Sequence, residues 1–348
     1  MTPDVPTSPP SLRTRVIIAI VIGVIAGVIV GLDYAYSPAW ILTDIDQVWF
    51  AARAVLDGRN PYALIGPGRE FDGPWPLYYP LMAPLSILPV GYLPIGASRV
   101  LLAAIPSGLL AFWLTRDDYR FLPLFASGAF LASIKLVQWP PLLACALFFP
   151  WLGFLAAAKP NLGLAILAGA RSRRDALIMA AMVAAITLAA FVAQPGWYTE
   201  WREAIGSAPH FRSYMLVPGG QLLLLSLLRW RLPEARLFAA LAIVPQTPSL
   251  TTALLLLLIP ATRIEVSILA LLTFIPFFFV QPSAAYPSFS AWADAMGWML
   301  LFTVYLPALV FLLRKPNVGP MPNFIERAVA GLPLWIRGSQ QGRHPGAS

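Results

Sequence analysis

Residues 16–32 read VIIAIVIGVIAGVIVGL, without one charged or hydrogen-bonding side chain. An element that is apolar all round belongs either in the core of a large protein or in a bilayer. Crossing hydrocarbon takes about 20 predominantly apolar residues, and this run with its flanks supplies them. Arg13 and Arg15 precede it and Asp33 follows it, so charge returns at both ends. The same texture repeats outward to residue 313. Of 348 residues, 58% are hydrophobic and 11% charged, with a mean hydropathy of +0.71; a soluble domain carries about 25% charged residues. The composition therefore predicts an integral membrane protein. It also predicts an all-α fold, because a chain in lipid must satisfy its own backbone polar groups.

Further windows at 94–114, 121–137, 175–193, 264–280 and 297–313 read as spans. Residues 141–170 suit one crossing plus a broken half-helix. Residues 215–228, 237–247 and 249–262 suit short crossings, or a re-entrant hairpin around Pro245, Gln246, Thr247 and Pro248. The expectation is about ten membrane passes in one polytopic helix bundle, 16–315. A Pro-rich, disordered cytoplasmic N-terminus (1–15) precedes it and a weakly structured cytoplasmic tail (316–348) follows. No small-residue cleavage pattern follows the first span, which predicts an uncleaved anchor.

Lys and Arg accumulate on the cytoplasmic side of membrane proteins. Alternating the passes puts 16 of the 24 Lys and Arg on one side, leaves 5 in outer loops, and leaves 3 (Arg99, Lys135, Lys159) in or beside spans. Outer loops hold 9 of the 16 acids. The net charge of +8 thus reports topology and gives no support for nucleic-acid binding. The reading is a multi-pass protein of the cell membrane with both termini cytoplasmic.

Residues 33–93, the longest stretch between firm spans, then face outward, and a loop of that length usually carries function. Within it, 43–58 (TDIDQVWFAARAVLDG) places Ile45, Val48, Trp49, Ala52, Val55 and Leu56 on one helical face. Thr43 or Asp44 can cap the helix and Gly58 can end it. Such a helix is expected to lie in the membrane interface, apolar face toward lipid, with its acids at the water boundary.

This loop resembles the first outer loop of the GT-C glycosyltransferases, most closely glycosyltransferase family 87. In that family an Asp follows the first span, an Ala-rich helix leads to Gly and then Pro-Tyr, and a Tyr-Pro-rich segment precedes the second span. Asp44, Gly58, Pro61, Tyr62, Tyr79 and Pro80 match that pattern over about 50 residues; Gln138 and the pair Lys159 and Pro160 resemble later landmarks. The interval from Gln138 to Lys159 is shorter than the family pattern. The resemblance implies a bundle of GT-C type. It implies a polyprenyl-phosphate sugar donor, with a hexose such as mannose transferred, and a lipid or glycan acceptor at the outer face. Asp44 is then the proton acceptor and Asp46 a secondary catalytic candidate. Tyr62 and Tyr79 shape the acceptor site, and Gln138 and Lys159 contact the donor.

The residues themselves fit that chemistry. An inverting transfer needs a carboxylate in reach of the attacking hydroxyl and polar or cationic groups on the departing phosphate. A polyprenyl phosphate is already a competent leaving group, so no cofactor is expected and a divalent metal is not indicated. Ordinary structural roles compete at each position. Asp44 suits a helix cap, Asp46 the first-turn dipole, and Lys135 a snorkelling cation. His210 and Arg212, in the second outer loop, are candidates for the same cavity or simply solvated. With two His and one Cys, Cys145, disulfides, zinc sites and a Cys-His nucleophile are unsupported. A different class, a transporter or flippase of a lipid-linked sugar, also suits broken spans and intramembrane Lys; a non-catalytic subunit of an envelope-assembly complex is a third reading. The acids heading an outer helix favour catalysis.

Overall fold

The computed structural model describes residues 9–36, 43–208, 212–280, 285–320 and 327–339; His210 lies outside them. Among the described residues every regular element is helical, and extended pairing is limited to isolated bridges. The helices that frame the site are α1 (Leu12–Tyr36), α2 (Asp44–Leu56), α3 (Ile95–Leu114), α4 (Gly128–Lys135), α5 (Trp139–Ala146), α6 (Pro160–Ala168), α7 (Arg173–Ala193), α8 (Trp197–Gly206) and α9 (Phe289–Leu313). Four of them, α1, α3, α7 and α9, are long and apolar enough to cross a membrane. Helices α4 and α5 would together make a fifth, but they meet at a bend of 110°.

The other apolar windows are assembled from shorter pieces, and proline explains many of the breaks. Its fixed φ and missing N–H suit the first turn of a helix and disfavour the interior. Between residues 139 and 168, three segments each carry proline in their first two positions: α5, the 3₁₀ segment Pro150–Ala157, and α6. The single crossing with a half-helix expected here is instead a zigzag. Trp139 packs on Tyr79 of the 43–93 loop, Phe148 and Phe149 lie against Trp113 near the far end of α3, and Lys159 returns beside Asp44. The turns are so tight that a Cβ at Gly163 would collide with the Ala156 carbonyl.

Contacts sort the chain onto two ends. At one end Arg side chains cap the carbonyls that helix C-termini leave unpaired. Arg15 donates to Phe112 O (2.9 Å), Arg236 to Ala170 O (2.8 Å) and Arg229 to Leu313 O (2.7 Å). Lys315 pairs with Glu234 at 3.5 Å there. At the other end Lys135 meets Asp33 at 3.4 Å, Gln194 at the close of α7 bonds Asn60 (2.9 Å), and Trp201 of α8 donates to Tyr78 O (2.9 Å). Arg15, Arg229, Arg236 and Lys315 thus gather at one pole, opposite the 43–93 loop.

Helices α1 and α3 pack backbone to backbone. A Cβ at Gly23 would sit 3.0 Å from Ala104 O, and one at Gly108 would sit 3.0 Å from Ala19 O. Small residues at four-residue spacing (Ala19, Gly23, Gly27, Gly31) allow that approach where apolar lipid gives no hydrophobic drive for association. Gly23→Leu or Gly108→Leu should therefore lower the stability of the full chain in detergent by about 1–3 kcal/mol, the range for overpacking. At Gly31 a Cβ would find only Val100 Cγ2, at 3.6 Å, so Gly31→Ala should leave thermal unfolding unchanged; an equal loss at all three positions would refute the close-packed seam.

Candidate functional site

The site is built around the first turn of α2. Thr43 is its N-cap in an extended conformation, and the Asp46 carboxylate reaches back to the Thr43 N–H at 2.7 Å. At the far end Gly58 adopts φ +67°. Its N–H donates to Val55 O (3.0 Å) and the next, Arg59 N, to Ala54 O (2.7 Å), a Schellman stop that favours glycine. The apolar face does not lie toward lipid as expected from the sequence. Ile45, Val48 and Ala52 are fully buried, with Ala52 and Leu56 pressed on Gly91. The reason is local: residues 82–92 fold as two short helical turns and supply the apolar surface themselves.

The two acids of the first turn part company. Asp46 is wholly buried and takes Arg99 of α3 on both oxygens, with Nε to Oδ1 at 2.8 Å. The Arg99 guanidinium also lies 5.0 Å from the Tyr34 ring centre on α1, so one cation joins α1, α2 and α3. Asp46, a secondary catalytic candidate in the sequence, has both oxygens engaged here, by Arg99 and by the helix cap. Sequence reasoning assigned Arg99 no role; its position inside an apolar span was the signal that it needed a partner.

Asp44 stays half exposed, at 47% of its side chain. The Tyr79 hydroxyl donates to its Oδ2 at 2.9 Å, and Lys159 Nζ stands 4.0 Å from the same oxygen. Oδ1 has no bonded partner among the described residues. Burial first, and the Asp44 charge second, push the Tyr79 phenol well above its ordinary value, so it remains a donor throughout the neutral range. Tyr79 is held from two sides: the Tyr62 hydroxyl donates to its carbonyl (3.0 Å), and Trp139 packs on its ring at 5.9 Å. Lys159 Nζ lies 5.9 Å from the same ring centre. Asp44, Tyr79 and Lys159, separated by up to 115 positions, thus form one cluster. Tyr62 is buried and acts through Tyr79, not at the surface. Thr43 and Trp139, both buried, complete the wall of this cluster.

Gln138 enters through a strained turn. Helix α4 also ends in a Schellman pattern, with Val137 N to Ile134 O (3.0 Å) and Gln138 N to Ser133 O (2.8 Å). Here Val137 takes the left-handed position, φ +43°, that Gly58 fills on α2. A β-branched residue there is a true outlier and is associated with functional sites. The turn places Gln138, half-buried and with no side-chain capping bond, immediately before Trp139. Arg212 sits elsewhere. It pairs with Asp294 on α9 and its backbone exchanges two 3.0 Å bonds with Gln246. It reaches the 43–93 loop only indirectly, since Phe289 of α9 packs on Trp75 (5.6 Å) and Gln47 of α2 donates to Trp75 O (3.1 Å). Among the described residues, no group of three or more His, Cys, Asp and Glu is placed to hold a metal.

Removing one member of a buried ion pair strands the other, at a cost of about 3–5 kcal/mol. Arg99→Met alone should show that loss in equilibrium unfolding, and Asp46→Leu with Arg99→Met should recover much of it; strict additivity of the two changes would contradict the pairing. No family model, curated protein or solved structure matches the chain.

Proposed function

We propose that the chain is an inverting membrane glycosyltransferase of GT-C type. In this reading it is a multi-pass protein of the cell membrane, with the 33–93 loop outside and both termini cytoplasmic. It moves a hexose, mannose being the leading choice, from a polyprenyl-phosphate donor to a lipid or glycan hydroxyl at the outer face. The observation that carries the reading is the asymmetry of Asp44. Its Oδ2 is fixed by Tyr79 and faces Lys159, which leaves Oδ1 open to an acceptor hydroxyl.

In the reaction the acceptor oxygen attacks the anomeric carbon as its proton passes to Asp44 Oδ1. The bond from that carbon to the phosphate oxygen breaks, and polyprenyl phosphate leaves with the electron pair. Lys159 is the cation positioned to stabilise the negative charge on the departing phosphate, and Gln138, next to Trp139 in the chain, is assigned to the donor. Tyr79 orients the base, and Tyr62 orients Tyr79. The 110° break between α4 and α5 also favours a second reading, translocation of a lipid-linked sugar, because discontinuous helices recur at transport sites.

Asp44→Asn keeps size and helix position while removing the basic oxygen. Transfer by the purified chain from radiolabelled polyprenyl-phosphate sugars should fall about 100-fold or more with normal membrane insertion. Lys159→Ala should weaken donor use more than stability, and Lys159→Arg should restore charge without full activity, because geometry differs. Undiminished transfer by Asp44→Asn would remove the main support for the transferase, and sugar-lipid scrambling without transfer would put translocation in its place.

A further inference from the structure

Beyond the last long helix the chain is tied back to the bundle at the basic pole. Arg231 is buried, 1% exposed, and donates to the carbonyls of Gly319 (2.9 Å) and Arg337. Asn317 donates to Ile336 O (2.7 Å), as does Trp230 Nε1 (2.9 Å). Backbone bonds join Ser339 N to Asn317 O (3.1 Å) and Gly319 N to Ser339 O (3.0 Å). Residues 336–339 are therefore pinned to Asn317, four positions past Leu313, where α9 ends. Arg229 grips that helix end as well.

The clasp fixes where the neighbouring side chains lie. Leu332, Leu334 and Trp335 are 44%, 67% and 61% exposed, an unusual load of apolar surface for a segment held at the mouth of a bundle. Residues 327–339 carry Arg327 and Arg337 and no acid. If α9 crosses a bilayer, the level of Leu313 to Asn317 is the headgroup layer. Tryptophan and leucine flanked by arginine are the side chains that partition there.

We propose that residues 327–337 form an interfacial anchor. Leu332, Leu334 and Trp335 seat in the headgroup layer of the leaflet at the basic pole, while Arg327 and Arg337 contact anionic lipid phosphates. The proposal rests on the membrane placement given above and not on sugar transfer. The buried Arg231 holds the anchor at the depth set by α9, so the segment docks as a prepositioned surface.

The test uses the full chain in nanodiscs of phosphatidylcholine alone or mixed equally with phosphatidylglycerol. A nitroxide at Trp335→Cys, with the buried Cys145 replaced by Ala, should be relaxed more by oxygen than by a water-soluble nickel complex. Free access to nickel would overturn the anchor. So would shielding from both reagents that persists in detergent, which would mean a protein partner or a second copy on this surface. In the unaltered chain, tryptic cleavage after Arg327 and Arg337 should be about thirtyfold slower in the anionic discs, the scale expected for two arginines at about 1 kcal/mol each; equal rates would also overturn it. Cysteine labelling at Ser172 reports orientation separately. Asp44→Asn should leave every one of these signals unmoved, so the anchor and the transferase stand or fall apart.

Discussion

The structure around the first turn of α2 depends on one buried charge pair. Asp46 and Arg99 are both withdrawn from water, and a carboxylate or guanidinium in that position is tolerated only when its partner is well placed. The pair is bidentate, it is backed by Tyr34, and its acid also closes the N-terminal cap of α2. The first turn of α2 therefore cannot rotate without stranding a charge. Asp44, two residues earlier, points away from Asp46 and is delivered to Tyr79 and Lys159 by the same constraint. A structural ion pair and a chemically available carboxylate share one helical turn, with the first fixing the direction of the second.

Around that turn, the backbone is shaped by residues that restrict it. Prolines stand in the first two positions of α5, the Pro150–Ala157 segment and α6, so the chain doubles back where a regular helix would have run through. Glycines on α1 and α3 remove the side chains that would hold those helices apart. The two Schellman turns form an instructive pair, because geometry is the same at Gly58 and at Val137 while the intrinsic cost differs by about 1–2 kcal/mol. The strained copy is the one that leads into Trp139, which packs on Tyr79.

Much of this was legible in the sequence, and the illegible parts share a cause. Helices α1, α3, α7 and α9 follow from apolar runs long enough to need no tertiary information, and α2 follows from helical spacing between Thr43 and Gly58. The direction of its apolar face did not follow. Periodicity locates such a face but does not say whether lipid or residues 82–92 will cover it. The zigzag between 139 and 168 was equally hidden, since a proline inside an apolar run marks a kink or a new helix with the same letter. Asp44, Tyr79 and Lys159 were singled out one by one through a family resemblance, and no local pattern links the three positions. The Asp46–Arg99 pairing spans 53 positions, and no local pattern specifies it. Val137 carries no warning either, because nothing in its neighbourhood distinguishes a left-handed valine from an ordinary one.

The segments with proline in their first two positions also bear on biogenesis. Each of the three between residues 139 and 168 has eight or nine residues, far below the length that hydrocarbon accepts on its own, and their connecting turns expose backbone polar groups that lipid would not satisfy. None can partition as an independent unit when it leaves the insertion machinery. They require walls already in place, which α1 and α3 can supply upstream but α7, emerging later, cannot. The zigzag is covered by α7 at Gly153, whose missing side chain admits Met179, so its enclosure is completed by a helix that follows it in the chain.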